Sequence, residues 1–216
     1  VGALCAVRFL APLTNLENKV ADIRVAAMQP AMAPSTDIVV VAINEDTLTA
    51  FPYRSPVDRG FLADVISQVS AKGARVIGVD IIIDQPTEAT KDARLKQVLA
   101  TTPTPLFLSY TSSPNIVTPE QLAFLNDFVP ANQRAEANLL SDPFDTLIRR
   151  INPGGELKNG RMVDTASHPA GFVRKAVTLF GGTAPLTPVE IAWRPRPDAE
   201  SLPFPSFPAQ FVSILP

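Results

Sequence analysis

Cysteine and histidine are each present once, as Cys5 and His168, in a chain of 216 residues. No intrachain disulfide can form. A zinc site needs three or four such ligands, and a Cys–His nucleophilic pair would have to join distant parts of the chain. Phosphate-binding loops are missing as well. No G-x-G-x-x-G follows a strand, no Walker loop is present, and Gly73, Gly78 and Gly181-Gly182 lack the necessary spacing, so no nucleotide cofactor is expected. Without a G-x-S-x-G elbow, Ser167 beside His168 has no framework for acyl transfer. Charge of one sign is also lacking: 19 Lys and Arg against 21 Asp and Glu leave a net charge of −2. That balance gives no pull towards nucleic acid or anionic lipid, and no nucleic-acid partner is expected.

What is there is the composition of a globular protein, 46% hydrophobic and 19% charged, long enough for one domain with a sizeable core. Proline is abundant. Its 22 residues are about twice the average share and crowd the second half, which predicts loops and short extended pieces there.

The opening run Val1 to Val7 is apolar and reaches its first charge at Arg8. It is too short to span a bilayer, which takes about 20 residues. Residues 1–13 are read as the end of an N-terminal transmembrane helix, with a buried N-terminal strand or helix as the alternative. Residues 14–30 are read as a juxtamembrane helix and 31–216 as a domain on one side of the membrane. Leu16, Val20, Ile23 and Ala27 recur at steps of four and three, with Thr14 or Asn15 as N-cap and Pro30 as the stop. The apolar face is narrow and suits a juxtamembrane or dimer-forming helix, or a peripheral helix on a sheet.

The middle alternates strand and helix. Asp37 to Ile43 is a β-branched run that predicts a central strand buried on both faces. Ser55 as N-cap and Pro56 at the first helical position open a helix that Lys72-Gly73 ends. Arg75 to Ile83 predicts a second strand, Glu88 to Ala100 a helix, and Pro105 to Tyr110 a third strand. Crossovers long enough for a helix imply parallel neighbours, hence an α/β fold: a three-layer sandwich around a mostly parallel sheet. Each buried Val or Ile contributes about 1.5–3 kcal/mol, so Val41→Asp or Ile77→Asp is expected to unfold the domain.

Beyond Thr111 the pattern weakens into an irregular, Pro-rich half. Pro119 to Phe128 and Gly171 to Leu179 predict helices, and Ala137 to Leu140 and Val189 to Trp193 short strands. Leu147 to Ile151 and Arg161 to Thr165 predict a hairpin around Asn152-Pro153-Gly154-Gly155. Arg194 to Pro208 is expected to wander over the surface.

Parallel sheets bind ligands outside the carboxyl ends of their strands. Glu45 and Asp46 follow the first strand, and Asp80 and Asp84, two pleat periods apart, end the second. Close carboxylates need a cation or an arginine. A Mg²⁺ or Ca²⁺ held by these four would suit a metal-dependent hydrolase. They are better explained as helix caps or as partners of Arg54 and Arg59.

Several blocks together resemble a known family, the type-two CHASE domains (cyclases/histidine kinases associated sensory extracellular). Asp22-Ile23-Arg24 resembles the family's D-x-R, and Ile38 to Leu48 its I-V-V-V-x-I-D-E-x-S-L strand. Tyr53 to Arg59 stands where the family has a Pro- and Arg-containing turn. Gly73 to Ile83 resembles G-A-x-x-I-x-x-D-I-x-F, followed by Asp92 and Leu95 of a D-x-x-L. Three positions depart from the pattern. Asn44 stands for Asp, Ile83 for Phe, and Thr146, within Asp145 to Arg149, for the Gly of D-G-x-x-R.

The resemblance implies a sensor domain, itself not an enzyme and without a cofactor, anchored through flanking helices and facing the periplasm or the exterior. The attached output would be an adenylate or guanylate cyclase or a histidine kinase. It implies a small-molecule or protein stimulus and a homodimer, with the sheet completed by a strand after Pro216. Glu45, Asp46, Arg54, Asp58, Arg59, Asp80 and Asp84 are the candidate ligand contacts. A structural interaction module without a ligand is the remaining alternative.

Overall fold

The hydrophobic runs at 75–83 and 105–110 become neighbouring parallel strands at the centre of a three-layer unit. The computed structural model describes residues 11–191 and 195–214. In it β2 (Ile77–Val79), β3 (Leu106–Tyr110) and β4 (Arg134–Glu136) pair in parallel in that order. Their connections contain helices α4 (Ala89–Thr101) and α5 (Pro119–Phe128), while α3 (Arg59–Ala71) precedes β2.

Side-chain alternation sorts the two faces. Ile77, Val79, Leu106, Leu108 and Tyr110 join Leu62 and Ile66 of α3, Leu95 and Leu99 of α4, and Leu125 and Phe128 of α5 in the main core. Phe107 points the other way and meets Phe172 of α6 (Phe172–Leu179) edge-on at 4.7 Å. Gly78 makes room for that contact: a Cβ there would lie 2.8 Å from the ring of Phe107 and 3.1 Å from that of Phe172. The three-layer α/β expectation therefore holds over these strands.

The first predicted strand behaves differently. β1 spans only Val40–Ala42, and instead of joining β2 it pairs in parallel with β10 (Ser206–Pro208). It is not buried on both faces, since Ile38 and Val39 are more than half exposed. Its inward residues Val41 and Ile43 pack with Phe61, Val65, Ala209 and Val212 in a second cluster on α3. The end of the Pro-rich segment is thus structural rather than wandering: β10 and the 3-10 turn Ala209–Ile214 close that cluster.

Other boundaries differ for local reasons. Asp58, not Ser55, caps α3, its Oδ1 accepting the Phe61 amide hydrogen at 2.9 Å, and Pro56 lies outside the helix. The predicted hairpin is replaced by two pairings. β6 (Ile148–Ile151) lies antiparallel between β5 (Leu140–Ser141) and β9 (Val189–Glu190), while β7 (Glu156–Lys158) and β8 (Arg161–Val163) form their own hairpin. The turn of that hairpin holds Asn159 and Gly160 at positive φ, as a tight turn between adjacent strands requires. The strand predicted at Ala137–Leu140 is limited to Leu140–Ser141, and of the Val189–Trp193 strand the last two residues lie outside the described ones.

β4 was not foreseen, because Arg134-Ala135-Glu136 reads as surface sequence. All three are buried. The Arg134 guanidinium is satisfied by carbonyls, donating to Val129 at 2.9 Å, Ala166 at 2.9 Å and Asn126 at 2.7 Å, and it lies over the Tyr110 ring.

Helix α1 (Ala11–Met28) contains the predicted juxtamembrane segment but already includes Thr14 and Asn15, so neither caps it. The proposed membrane-helix end at 1–13 falls mostly on residues 1–10, outside the described ones. Among the described residues no helix is long and apolar enough to cross a membrane.

Candidate functional site

Most of the seven residues singled out from the sequence are engaged in separate local contacts. Asn44 caps the short helix α2 (Glu45–Leu48), its Oδ1 accepting the Thr47 amide hydrogen at 2.9 Å. Glu45 pairs with Arg54 at 2.6 Å, both mostly exposed, an arrangement that contributes little in water. Asp46 is exposed and uses its backbone carbonyl to accept the Thr49 hydroxyl. Asp80 accepts the Ser109 hydroxyl at 2.6 Å, and Asp84 accepts from the Gln121 amide at 2.6 Å. The Glu45, Asp80 and Asp84 carboxylates each have their own neutral or cationic partner. Among the described residues no group of three or more His, Cys, Asp or Glu side chains is placed to hold a metal ion.

Asp58 and Arg59 do meet other charges. Burial raises the Asp58 pKa, but the Lys91 ammonium at 2.6 Å and the Phe61 amide hydrogen outweigh it, and the carboxyl titrates below its usual value. Lys91 also donates to Glu88 at 3.0 Å, and the Tyr53 hydroxyl donates to Glu88 at 2.7 Å. Arg59 is 1% exposed, and its Nε and Nη1 are buried without a hydrogen-bond partner. The nearest carboxylate contact is Asp92 Oδ1, 4.0 Å from Nε, and Asp92 is already engaged by the Thr87 amide and hydroxyl. Burial therefore lowers the Arg59 pKa, opposed by the fields of Asp92 and Asp84.

Unsatisfied buried donors each cost roughly 1–3 kcal/mol. Arg59→Met keeps the volume and removes them, so we expect stability to rise by about 1–2 kcal/mol in urea unfolding, within the range known for apolar replacement of buried ions. A loss of stability on that substitution would instead mean that the Arg59–Asp92 attraction outweighs the desolvation cost.

A second charge cluster joins α1 to the C-terminal sheet. Arg149 of β6 donates to Asp22 of α1 at 2.7 Å and to Asp145 at 2.6 Å, and it lies 3.1 Å from Asp142. Asn18 of α1 donates to Asp142 at 2.9 Å. The Arg149 bonds hold the Asp145 carboxyl down to about 2, and Asp145 and Asp22 raise the Arg149 pKa. The helix docks by its polar positions, with Asn15, Asn18, Asp22 and Val25 half-buried. Leu16 at 58% and Ile23 at 67% exposure face away with Leu13 and Val20. Helical spacing located the apolar face but left open whether it packs on a sheet or faces outward as in a juxtamembrane or dimer-forming helix, and the structure turns it outward.

Thr146, where the family pattern has glycine, lies in the segment that carries this cluster. This residue has φ +60°, the left-handed region that glycine enters freely and a β-branched residue enters at a cost of about 1–2 kcal/mol. Thr146→Gly should therefore raise the denaturation midpoint by a gain of up to about 1 kcal/mol, after the entropy that glycine restores to the unfolded chain.

Asp22 and the Asp145–Arg149 segment, separate blocks of the family resemblance, are thus brought into one contact. No curated protein and no solved structure matches this chain. The family model of the CHASE2 domain matches residues 1–201, and the chain belongs to that family of extracellular sensory domains of signalling receptors.

Proposed function

We propose that this domain is the stimulus-sensing part of a transmembrane receptor, anchored through flanking helices, outside the cytoplasm, and coupled to an adenylate or guanylate cyclase or a histidine kinase. The catalytic activity belongs to that output domain. Helix α1 is the transmitter. The observation that carries this reading is the way α1 is held: one arginine, Arg149, shared between Asp22 on the helix and Asp142 and Asp145 on the domain. A shared cation of this kind gives two arrangements a discrete difference in energy, and a stimulus that favours one of them shifts the helix.

The outward stripe Leu13, Leu16, Val20, Ile23 and Ala27 alternates steps of three and four, the spacing of a two-stranded seam. Two copies of the domain meeting there would bring two transmitters side by side, as a homodimeric receptor needs. The rival reading, an interaction module without a ligand, draws on the same exposed stripe.

The test uses the full-length receptor. Arg149→Ala should free α1, raise hydrogen exchange along 15–25 by at least roughly tenfold, and change basal output several-fold, whereas Arg149→Lys should restore part of both. Faster exchange with unchanged output would sink the transmitter role.

A further inference from the structure

The carboxyl ends of β2, β3 and β4 open onto a cleft of about 470 Å³ that none of the seven sequence-selected residues lines. Its size is in the range of small-molecule sites. Ile82, Ile116 and Leu139 form its apolar wall, with Ile116 55% and Leu139 69% exposed. Its polar groups are Ser113, Asn115, Asn138 and Ser141.

Three of these polar groups are uncommitted, and the fourth, Asn138, is held in place. Among the described residues the Ser113 and Ser141 hydroxyls and the Asn115 side-chain amide make no hydrogen bond. Asn138 is positioned from three sides. Its Oδ1 accepts the Thr111 hydroxyl at 3.0 Å, its carbonyl accepts Asn152 Nδ2 at 2.7 Å, and its amide hydrogen is donated to Glu136. Thr111 Oγ1 donates to Asn138 Oδ1 and accepts the Ser113 amide hydrogen, and among the described residues Asn138 Nδ2 has no partner.

Among the described residues no charged side chain lines the cleft. Asp142, next to Ser141, is tied to Arg149 and Asn18, and Asp84, near Ile82, is held by Gln121. Glu136 is 9% exposed, and burial raises its pKa. An ion in the cleft would gain no counter-charge from these lining residues.

We propose that this cleft binds a small uncharged molecule that carries amide or hydroxyl groups on a short aliphatic frame. Donor and acceptor groups of the ligand pair with Asn138 Nδ2, Asn115 and the two serine hydroxyls, and its aliphatic part covers Ile116 and Leu139. As the receptor's stimulus site it rests on the sensor reading above; as a binding site it does not. The link is short, because Leu139 and Ser141 bracket Leu140 of β5, and the next residue, Asp142, holds Asn18 of α1.

Methyl-labelled NMR of the chain tests it with two neutral probes, N-acetyl-leucinamide and 2,3-butanediol, against two charged ones, N-acetyl-leucine and leucinamide. The neutral probes should shift the Ile82, Ile116 and Leu139 methyls saturably, and the charged pair should bind at least roughly tenfold more weakly. Leu139→Asp and, separately, Asn115→Leu should each weaken binding about tenfold or more, with the core methyls of Leu95 and Leu99 unmoved as a control for folding. No saturable shift with either neutral probe, equal binding of the charged pair, or binding that survives both substitutions would overturn the proposal. Cleft binding that leaves receptor output unchanged would uphold the site and sink the sensor reading.

Discussion

Gly171→Ala should destabilise the domain by at least about 4 kcal/mol, the range reached only when packing has no way to yield. A Cβ on Gly171 would fall on the carbonyl oxygen of Asn152 and against Pro153, both backbone. Gly154 faces it from the other side. It has φ +63°, and a Cβ there would collide with the Gly171 nitrogen and the Pro169 carbonyl oxygen. The two segments cross at backbone contact, joined by Gly171 N–H to Pro153 O at 2.7 Å and Gly155 N–H to Pro169 O at 2.8 Å. Neither can retreat. The Ala170 carbonyl accepts the Glu136 amide hydrogen from β4 at 2.8 Å, and Gly171 starts α6, which places Phe172 on Phe107. Gly73→Ala is the comparison: φ is +82° but nothing lies within 4 Å of its Cβ, so only the backbone cost of about 1–2 kcal/mol remains. Urea unfolding of both variants checks this, and equal losses would show that the crossing is not tight.

Ile77→Asp should abolish folding, whereas Val41→Asp should not. Ile77 is 8% exposed, pairs with Leu106 and belongs to the main core. A carboxylate there has no partner and must either stay protonated or break the sheet. With the lost burial, this approaches the whole stability of a domain, about 5–15 kcal/mol. Val41 is only half-buried, at the edge of the smaller cluster on α3, and among the described residues its strand has one partner, β10. Its substitution should cost about 1–3 kcal/mol. Circular dichroism melts separate the two outcomes: a cooperative transition in Ile77→Asp, or none in Val41→Asp, would contradict this assignment of the cores. The equal severity expected from sequence is thus corrected, because two runs equally rich in Val and Ile occupy different depths.

The candidate ligand contacts show the same limit. Glu45, Asp80 and Asp84 stand near strand ends as their positions in sequence imply, yet each is engaged separately, by Arg54, Ser109 and Gln121. The neutral groups at the cleft, Ser113, Asn115 and Asn138, carried no sequence signal, since unpaired Ser and Asn in a loop look the same whether they face solvent or one another. Arg149 was visible only as part of a resemblance. Its partner Asp22 lies on a helix far along the chain, and nothing local to either residue announces the pair.

Helices α3, α4, α5 and α6 and strands β2 and β3 were determined by the sequence itself, because local periodicity suffices to place them, although α3 starts from a different cap. Thr118 and Gln121, for example, satisfy one another's backbone amides at the start of α5, just before its apolar run. Membership of the family was legible for the same reason, in short contiguous blocks. Only the tertiary structure decided that β1 pairs with β10, that Arg134-Ala135-Glu136 forms a buried strand, and that α1 turns its polar face inward. Burial depends on which distant surface covers a residue, and a charged side chain becomes interior once carbonyls or carboxylates replace its water, as they do around Arg134 and Arg149.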